Sequence, residues 1–123
     1  MNWEEVEKKI QQRIKVGDDV NTMRSSFRKV LKGPSHHCTT KGFDSMGYKI
    51  QIGKKDTIEI PFEMLRKIYK RTMEANGRYN RDVFLDSYPK IPDVKSCYIH
   101  TVGKIFELAG VARTLDAFNY QFI

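Results

Sequence analysis

Residues 95–115 read KSCYIHTVGKIFELAGVARTL. Tyr98, Ile99, Val102, Ile105, Phe106 and Ala109 fall on one side of a 3.6-residue period, which predicts an amphipathic helix over 94–109. Asp93 is placed to cap its start, and Gly110 sits where a C′ glycine ends a helix. With the apolar stripe inward, Ser96, His100, Gly103, Lys104 and Glu107 are expected to point outward. Gly103 costs about 1 kcal/mol relative to Ala in a helix interior, so it needs a compensating reason, either close approach to a backbone or close packing against another helix. The chain then runs VARTLDAFNYQFI over 111–123, which reads as two short strands around Leu115-Asp116-Ala117-Phe118.

Upstream, Pro61 suits the first position of a helix over 61–75. Phe62, Leu65, Ile68, Tyr69 and Thr72 share one face, and Arg66, Lys67, Lys70 and Arg71 lie on or beside the other. Asn76-Gly77 closes it. Asn80 can cap a short helix over 81–88 with Val83, Phe84 and Tyr88 inward, and Pro89 and Pro92 then break the chain. Helix, short helix, longer helix and terminal β-hairpin over 61–123 resemble a winged-helix domain, a variant of the helix-turn-helix. The resemblance implies DNA binding, with the 94–109 helix in the major groove and the wing near the phosphate backbone. It also implies a small strand after the first helix, for which Asn76–Tyr79 is the available room. The Tyr88–Asp93 connection is long for such a motif.

The first half reads as a helix over 2–16, with Trp3, Val6, Ile10 and Ile14 inward and Gly17 at its end, then a second helix over about 20–32. The apolar positions of that second helix are Val20, Met23, Phe27, Val30 and Leu31, and Gly33-Pro34 is expected to stop it. Residues 34–45 read as a polar loop. A β-hairpin follows, in which Tyr48, Ile50 and Ile52 alternate with polar residues, as do Ile58 and Ile60, around the turn Gly53-Lys54-Lys55-Asp56. The expected fold class is α+β in a single domain, 1–123, built from an N-terminal helix pair and β-hairpin (1–60) and a winged-helix-like subdomain (61–123) sharing one core.

The chain has 123 residues and a formal net charge of +7. Its charge is uneven: residues 1–20 hold four basic and five acidic side chains, residues 21–60 eight and three, and residues 61–123 ten and seven. A regional basic excess favours an anionic partner. The candidate nucleic-acid-binding residues are Lys95, Ser96, His100 and Lys104 on the 94–109 helix, Arg113 in the wing, and the basic group Arg66, Lys67, Lys70, Arg71, Arg78 and Arg81. Double-stranded DNA is the expected partner. The alternative is a non-catalytic interaction module, a small inhibitor or adaptor that turns its basic face to an acidic protein. No apolar run approaches the roughly 20 residues of a membrane span, and the opening MNWEEVEKK lacks the apolar stretch of a secretory leader. The expected compartment is the cytoplasm, with Cys38 and Cys97 as thiols.

Cys97 and His100, spaced i, i+3, share a helix face, and His36, His37 and Cys38 are adjacent. Two Cys and two His can hold zinc tetrahedrally, but three consecutive candidates are not the usual spaced pair, so no metal or other cofactor is expected. Asp56 and Glu59 followed by Lys67 faintly suggest the carboxylate-and-lysine layout of a metal-dependent nuclease. Glu59 is expected on the solvated side of the hairpin, which argues against it. With no phosphate loop or nucleophile elbow, no catalytic residue is assigned.

Overall fold

The computed structural model describes residues 1–22, 27–90 and 95–123, with Lys95 and Ser96 described in their backbone only. Over the described residues the protein is a small α+β fold of four α-helices and two three-stranded antiparallel sheets. Helix α1, Trp3–Arg13, is capped by Asn2, whose side chain accepts a hydrogen bond from the Glu5 N–H at 2.9 Å. Val6 and Ile10 are buried on one face, and Ile14 follows them into the core, as the apolar spacing requires.

The helix expected over 20–32 does not form as read. Its described part from Arg28 onward is strand β1, Arg28–Cys38, which also absorbs the first residues of the expected loop. Met23 lies outside the described residues. Val30 and Leu31 satisfy a helical spacing, yet Val30 pairs with Ile50 on β2, Ser45–Ile52, and Phe27 is exposed. Pairing with a neighbouring strand supplies both the backbone hydrogen bonds and the apolar contact, and so overrides a short helical pattern. Gly33-Pro34 does not end the element. It sits within the second of two register shifts, the one between Lys32 and His36, where a residue without an N–H is tolerated. Gly33 has φ +126°, and a Cβ there would meet the ring and backbone of Tyr48 at 2.5–3.1 Å, so only glycine fits.

Strand β3, Asp56–Pro61, completes the sheet β1-β2-β3. The expected hairpin is present, with Tyr48 opposite Ile60 and Ile50 opposite Ile58, all four buried. The Tyr48 hydroxyl donates to the carbonyls of Ile10 (3.3 Å) and Ile14 (3.1 Å), tying the end of α1 to the sheet. Pro61 ends β3 and caps α2, Phe62–Glu74. Strand β4, Arg78–Tyr79, lies in the room reserved for it. Helix α3, Arg81–Ser87, is capped by the Asn80 side chain, which accepts from Asp82 (3.0 Å) and Val83 (3.3 Å). Helix α4, Lys95–Leu108, then leads to β5, Ala112–Thr114, and β6, Tyr120–Phe122. The second sheet is ordered β4-β6-β5. Asp93 and Pro92 lie outside the described residues. Among the described residues, no helix is long and apolar enough to cross a membrane.

One buried cluster joins both halves, from Val6 and Tyr48 through Leu65 and Ile68 to Tyr98, Phe106 and Phe122. Helix α4 runs through it. The expected stripe of Tyr98, Ile99, Val102, Ile105, Phe106 and Ala109 is buried throughout. The expected outer face is not open. Gly103 is buried, and a Cβ on it would lie 2.4–2.8 Å from ring atoms of Tyr120. The Tyr120 hydroxyl reaches the His100 carbonyl at 3.5 Å, and His100 itself is half-buried. Thr101 is buried too. Tyr120 of the terminal sheet thus covers the middle of the expected outer face, at Gly103.

Gly103 therefore tests which of two effects wins. Helix propensity alone predicts that Gly103→Ala stabilises by about 1 kcal/mol. The Tyr120 ring is itself buried and packs on Tyr79, with centroids 5.8 Å apart, so it has little room to move. Overpacking should prevail, and Gly103→Ala should lose about 1–3 kcal/mol in urea unfolding.

Candidate functional site

The terminal sheet has two unlike faces. Tyr79, Tyr120 and Thr114 stand abreast in one row of the register, and both tyrosines are buried. Arg78, Gln121 and Arg113 form the adjacent row, and residues directly opposite one another in antiparallel strands project to the same face. Both arginines are exposed. Arg78 Nε donates to Gln121 Oε1 at 3.4 Å, and Gln121 Nε2 donates to the Asn76 carbonyl at 3.2 Å, so the amide between the two cations is held in place. Arg81, at the start of α3, is exposed close by in sequence, and the Asn80 amide reaches Asn119 Oδ1 at 3.3 Å.

The β5–β6 connection is fastened by Asp116, which accepts from the N–H groups of Phe118 (2.7 Å) and Asn119 (2.9 Å). The Phe118 hydrogen bond leads the causes that hold this carboxyl below its ordinary range, and the Arg78 charge adds to them. Leu115 and Phe118 are 41% and 55% exposed at this tip.

The other expected basic residues divide by what they touch. On α2, Arg66 and Lys70 are exposed, and among the described residues neither is in a salt bridge. Arg71 is paired with Asp86 and with Glu74. Lys67 lies over the Tyr88 ring at 4.6 Å. With Lys41 and Lys90 it lines a cleft of about 740 Å³ that also contains Phe43, Tyr88 and one carboxylate, Glu63. On α4, Lys104 donates to Glu107 at 2.7 Å, and both side chains are only a quarter exposed. The side chains of Lys95 and Ser96 lie outside the described residues. The structure thus places Arg78 and Arg113 in one row of the terminal sheet and draws Lys104 and His100 into the packing of α4.

A second polar cluster was not legible in the sequence. Glu59 does not face solvent. It is 6% exposed. Its Oε1 accepts from the Thr39 N–H (2.9 Å), the Thr40 N–H (2.8 Å) and the Thr40 hydroxyl (2.8 Å), while Oε2 meets His36 Nε2 at 2.6 Å. The hairpin face carrying Glu59 is covered because β1 bends over it after its register shifts and enters a short 3-10 turn at Thr40–Gly42. Asp56, three residues away, is exposed at the other end of β3, so the two carboxylates of the suggested nuclease layout do not converge. His37 turns away to Asp44, at 2.5 Å. The signal available was the alternation of a strand, which places His36 and Cys38 on one side; a loop assignment conceals it.

No family model, curated protein or solved structure matches the chain. The reading of function therefore rests on residues and geometry.

Burial alone would raise the Glu59 pKa. The hydrogen bonds from Thr40, His36 and Thr39 outweigh it and lower the value from 4.5 to about 2. A carboxylate whose folded-state pKa is depressed contributes stability above its unfolded pKa and loses it as pH falls through the folded value. The contribution should be about 3 kcal/mol above pH 4.5 and should disappear toward pH 2. Urea unfolding across this window, in chelator-containing buffer, should show Glu59→Gln losing most of that difference at pH 6 and little of it at pH 2.

Proposed function

We propose that residues 61–123 form a winged-helix-like unit and that the protein binds nucleic acid, double-stranded DNA first of all, through phosphate contacts on the outer face of the terminal sheet. The fold part of this reading is supported by the element order α2-β4-α3-α4-β5-β6 and by the sheet order β4-β6-β5. The observation that carries the functional part is the row Arg78–Gln121–Arg113, two exposed guanidinium groups abreast beside the β5–β6 turn. Guanidinium groups match phosphate in geometry as well as charge. Arg81 at the start of α3 and Arg66 and Lys70 on α2 are further exposed cations.

Base readout is limited on this reading. A helix that reads a major groove needs an exposed polar face, and the middle of α4 is occupied by Tyr120 on Gly103 and by the Lys104–Glu107 pair. The Gln121 amide, which could otherwise recognise adenine, is engaged within the protein. Binding is therefore governed by counterion release and is largely indifferent to sequence. The activity is binding without catalysis. A second reading, an interaction module acting on an acidic protein, has the exposed apolar tip Leu115 and Phe118 in its favour.

Fluorescence anisotropy with a short duplex at several salt concentrations tests the proposal. About four phosphate contacts should give a slope of log K against log salt near −4. Replacing Arg78 and Arg113 together by Ala should weaken binding at low salt and flatten the slope by about 2, and Lys104→Ala should leave both unchanged. A flat slope, or no binding at low salt, overturns the nucleic-acid reading and favours the protein partner.

A further inference from the structure

We propose that His36, Cys38 and Glu59 form a binding site for a divalent transition-metal ion, with Zn2+ the ion best suited to the donors. A ring nitrogen of His36, Cys38 Sγ and a Glu59 carboxylate oxygen all lie within 4.8 Å of one another. Two come from alternate positions on β1, the third from β3, which is not the hydrogen-bonded neighbour of β1. Imidazole nitrogen, thiolate sulfur and carboxylate oxygen are the ligand types of zinc sites, and three protein ligands leave a fourth position to water.

The surroundings are those of a ligand set held in place. Metal-binding carboxylates are themselves oriented by hydrogen bonds. Oε1 of Glu59 is fixed by three donors from Thr39 and Thr40, which leaves Oε2, now on His36, as the atom to coordinate. Cys38 is fully buried, and among the described residues its sulfur makes long contacts, 3.9 Å, to the carbonyls of His36 and Tyr48. Ligands at tetrahedral zinc stand roughly 3.3–3.6 Å apart, given bonds of about 2.0–2.3 Å. The His36–Glu59 pair at 2.6 Å would thus open by less than about 1 Å.

The charges also balance. His36 coordinates as neutral imidazole once the proton that Nε2 now gives to Glu59 has passed through solvent to Nδ1, Glu59 binds as the carboxylate, and the Cys38 thiol releases one proton to solvent as the sulfur–metal bond forms. A dication with one thiolate and one carboxylate is neutral. That matters because Lys41 and Lys49 line the small cavity beside Glu59 and would oppose a net positive site. Burial and the Glu59 charge push the free thiol up to about 12, so the proton is held until a metal displaces it.

Cobalt(II) titration of the reduced, chelator-stripped full chain tests the assignment. One Co2+ per chain should bind, with the intense visible bands of tetrahedral cobalt and a near-ultraviolet thiolate-to-cobalt charge-transfer band, and Zn2+ should bleach both. Cys38→Ser should abolish the charge-transfer band and His36→Gln should weaken binding at least tenfold, while Cys97→Ser and His37→Gln leave the spectrum unchanged. Circular dichroism reports whether each variant is folded. His36 is only half-buried, so its variant stands as the test where Cys38→Ser fails to fold. Folded wild type without a charge-transfer band, or a band removed by Cys97→Ser and retained in Cys38→Ser, overturns the proposal.

Discussion

The contact of the Tyr120 ring with the bare surface of α4 at Gly103 sets the arrangement of the second half of the molecule. A helix carries side chains all around, so a flat ring can lie against its backbone only where one is missing. That ring brings β6 against α4, with Phe122 following to meet Phe106 at a centroid distance of 4.6 Å. Once Tyr120 and Phe122 face inward, strand alternation turns Gln121 outward, and the register carries Arg78 and Arg113 out with it. The charged face of the sheet is thus a consequence of a packing contact on its other side.

The same contact explains why charge counts mislead here. Lys104 and His100 appear on the polar side of a helical wheel, yet one is paired with Glu107 and the other is half-buried. Arg71 and Lys67 are spent on Asp86, Glu74 and Tyr88. The cations left exposed are set by three-dimensional neighbours, chiefly the turn after β5 and the packing of α3 on α2. A wheel drawn for one helix contains none of these.

Legibility followed the range of the interactions. The helices over 62–74, 81–87 and 95–108 and the hairpin of Tyr48 with Ile60 carry long periodic patterns and local caps such as Asn80, and they stand in the structure close to where the sequence places them. The stretch 28–38 is ambiguous in sequence because Val30 and Leu31 fit a helical period as well as a strand, and the pairing with β2 that decides between them is nonlocal. Gly33-Pro34 reinforced the error, since a helix stop and a strand irregularity look alike in sequence. Once His36 and Cys38 were assigned to a loop, their common side of a strand could not be seen, and Glu59 on a distant strand had no visible reason to be buried. The row Arg78–Gln121–Arg113 was legible as residues and not as a group, because it depends on the order β4-β6-β5.

The irregular course of β1 has an outcome for the molecule among its neighbours. β1 is the edge strand of its sheet and is 11 residues long, the kind of edge onto which a foreign strand can add. Its first part is covered by its own chain: the Gly17 N–H donates to the Val30 carbonyl, the Val30 N–H to Asp18 and the Val20 N–H to Arg28, with a bridge between Asp19 and Lys29. Its middle is broken by two register shifts and by Pro34, which offers no N–H. Along these two stretches no straight run of unpaired backbone groups is left for a second chain to copy, and the same irregular course carries His36 to Glu59.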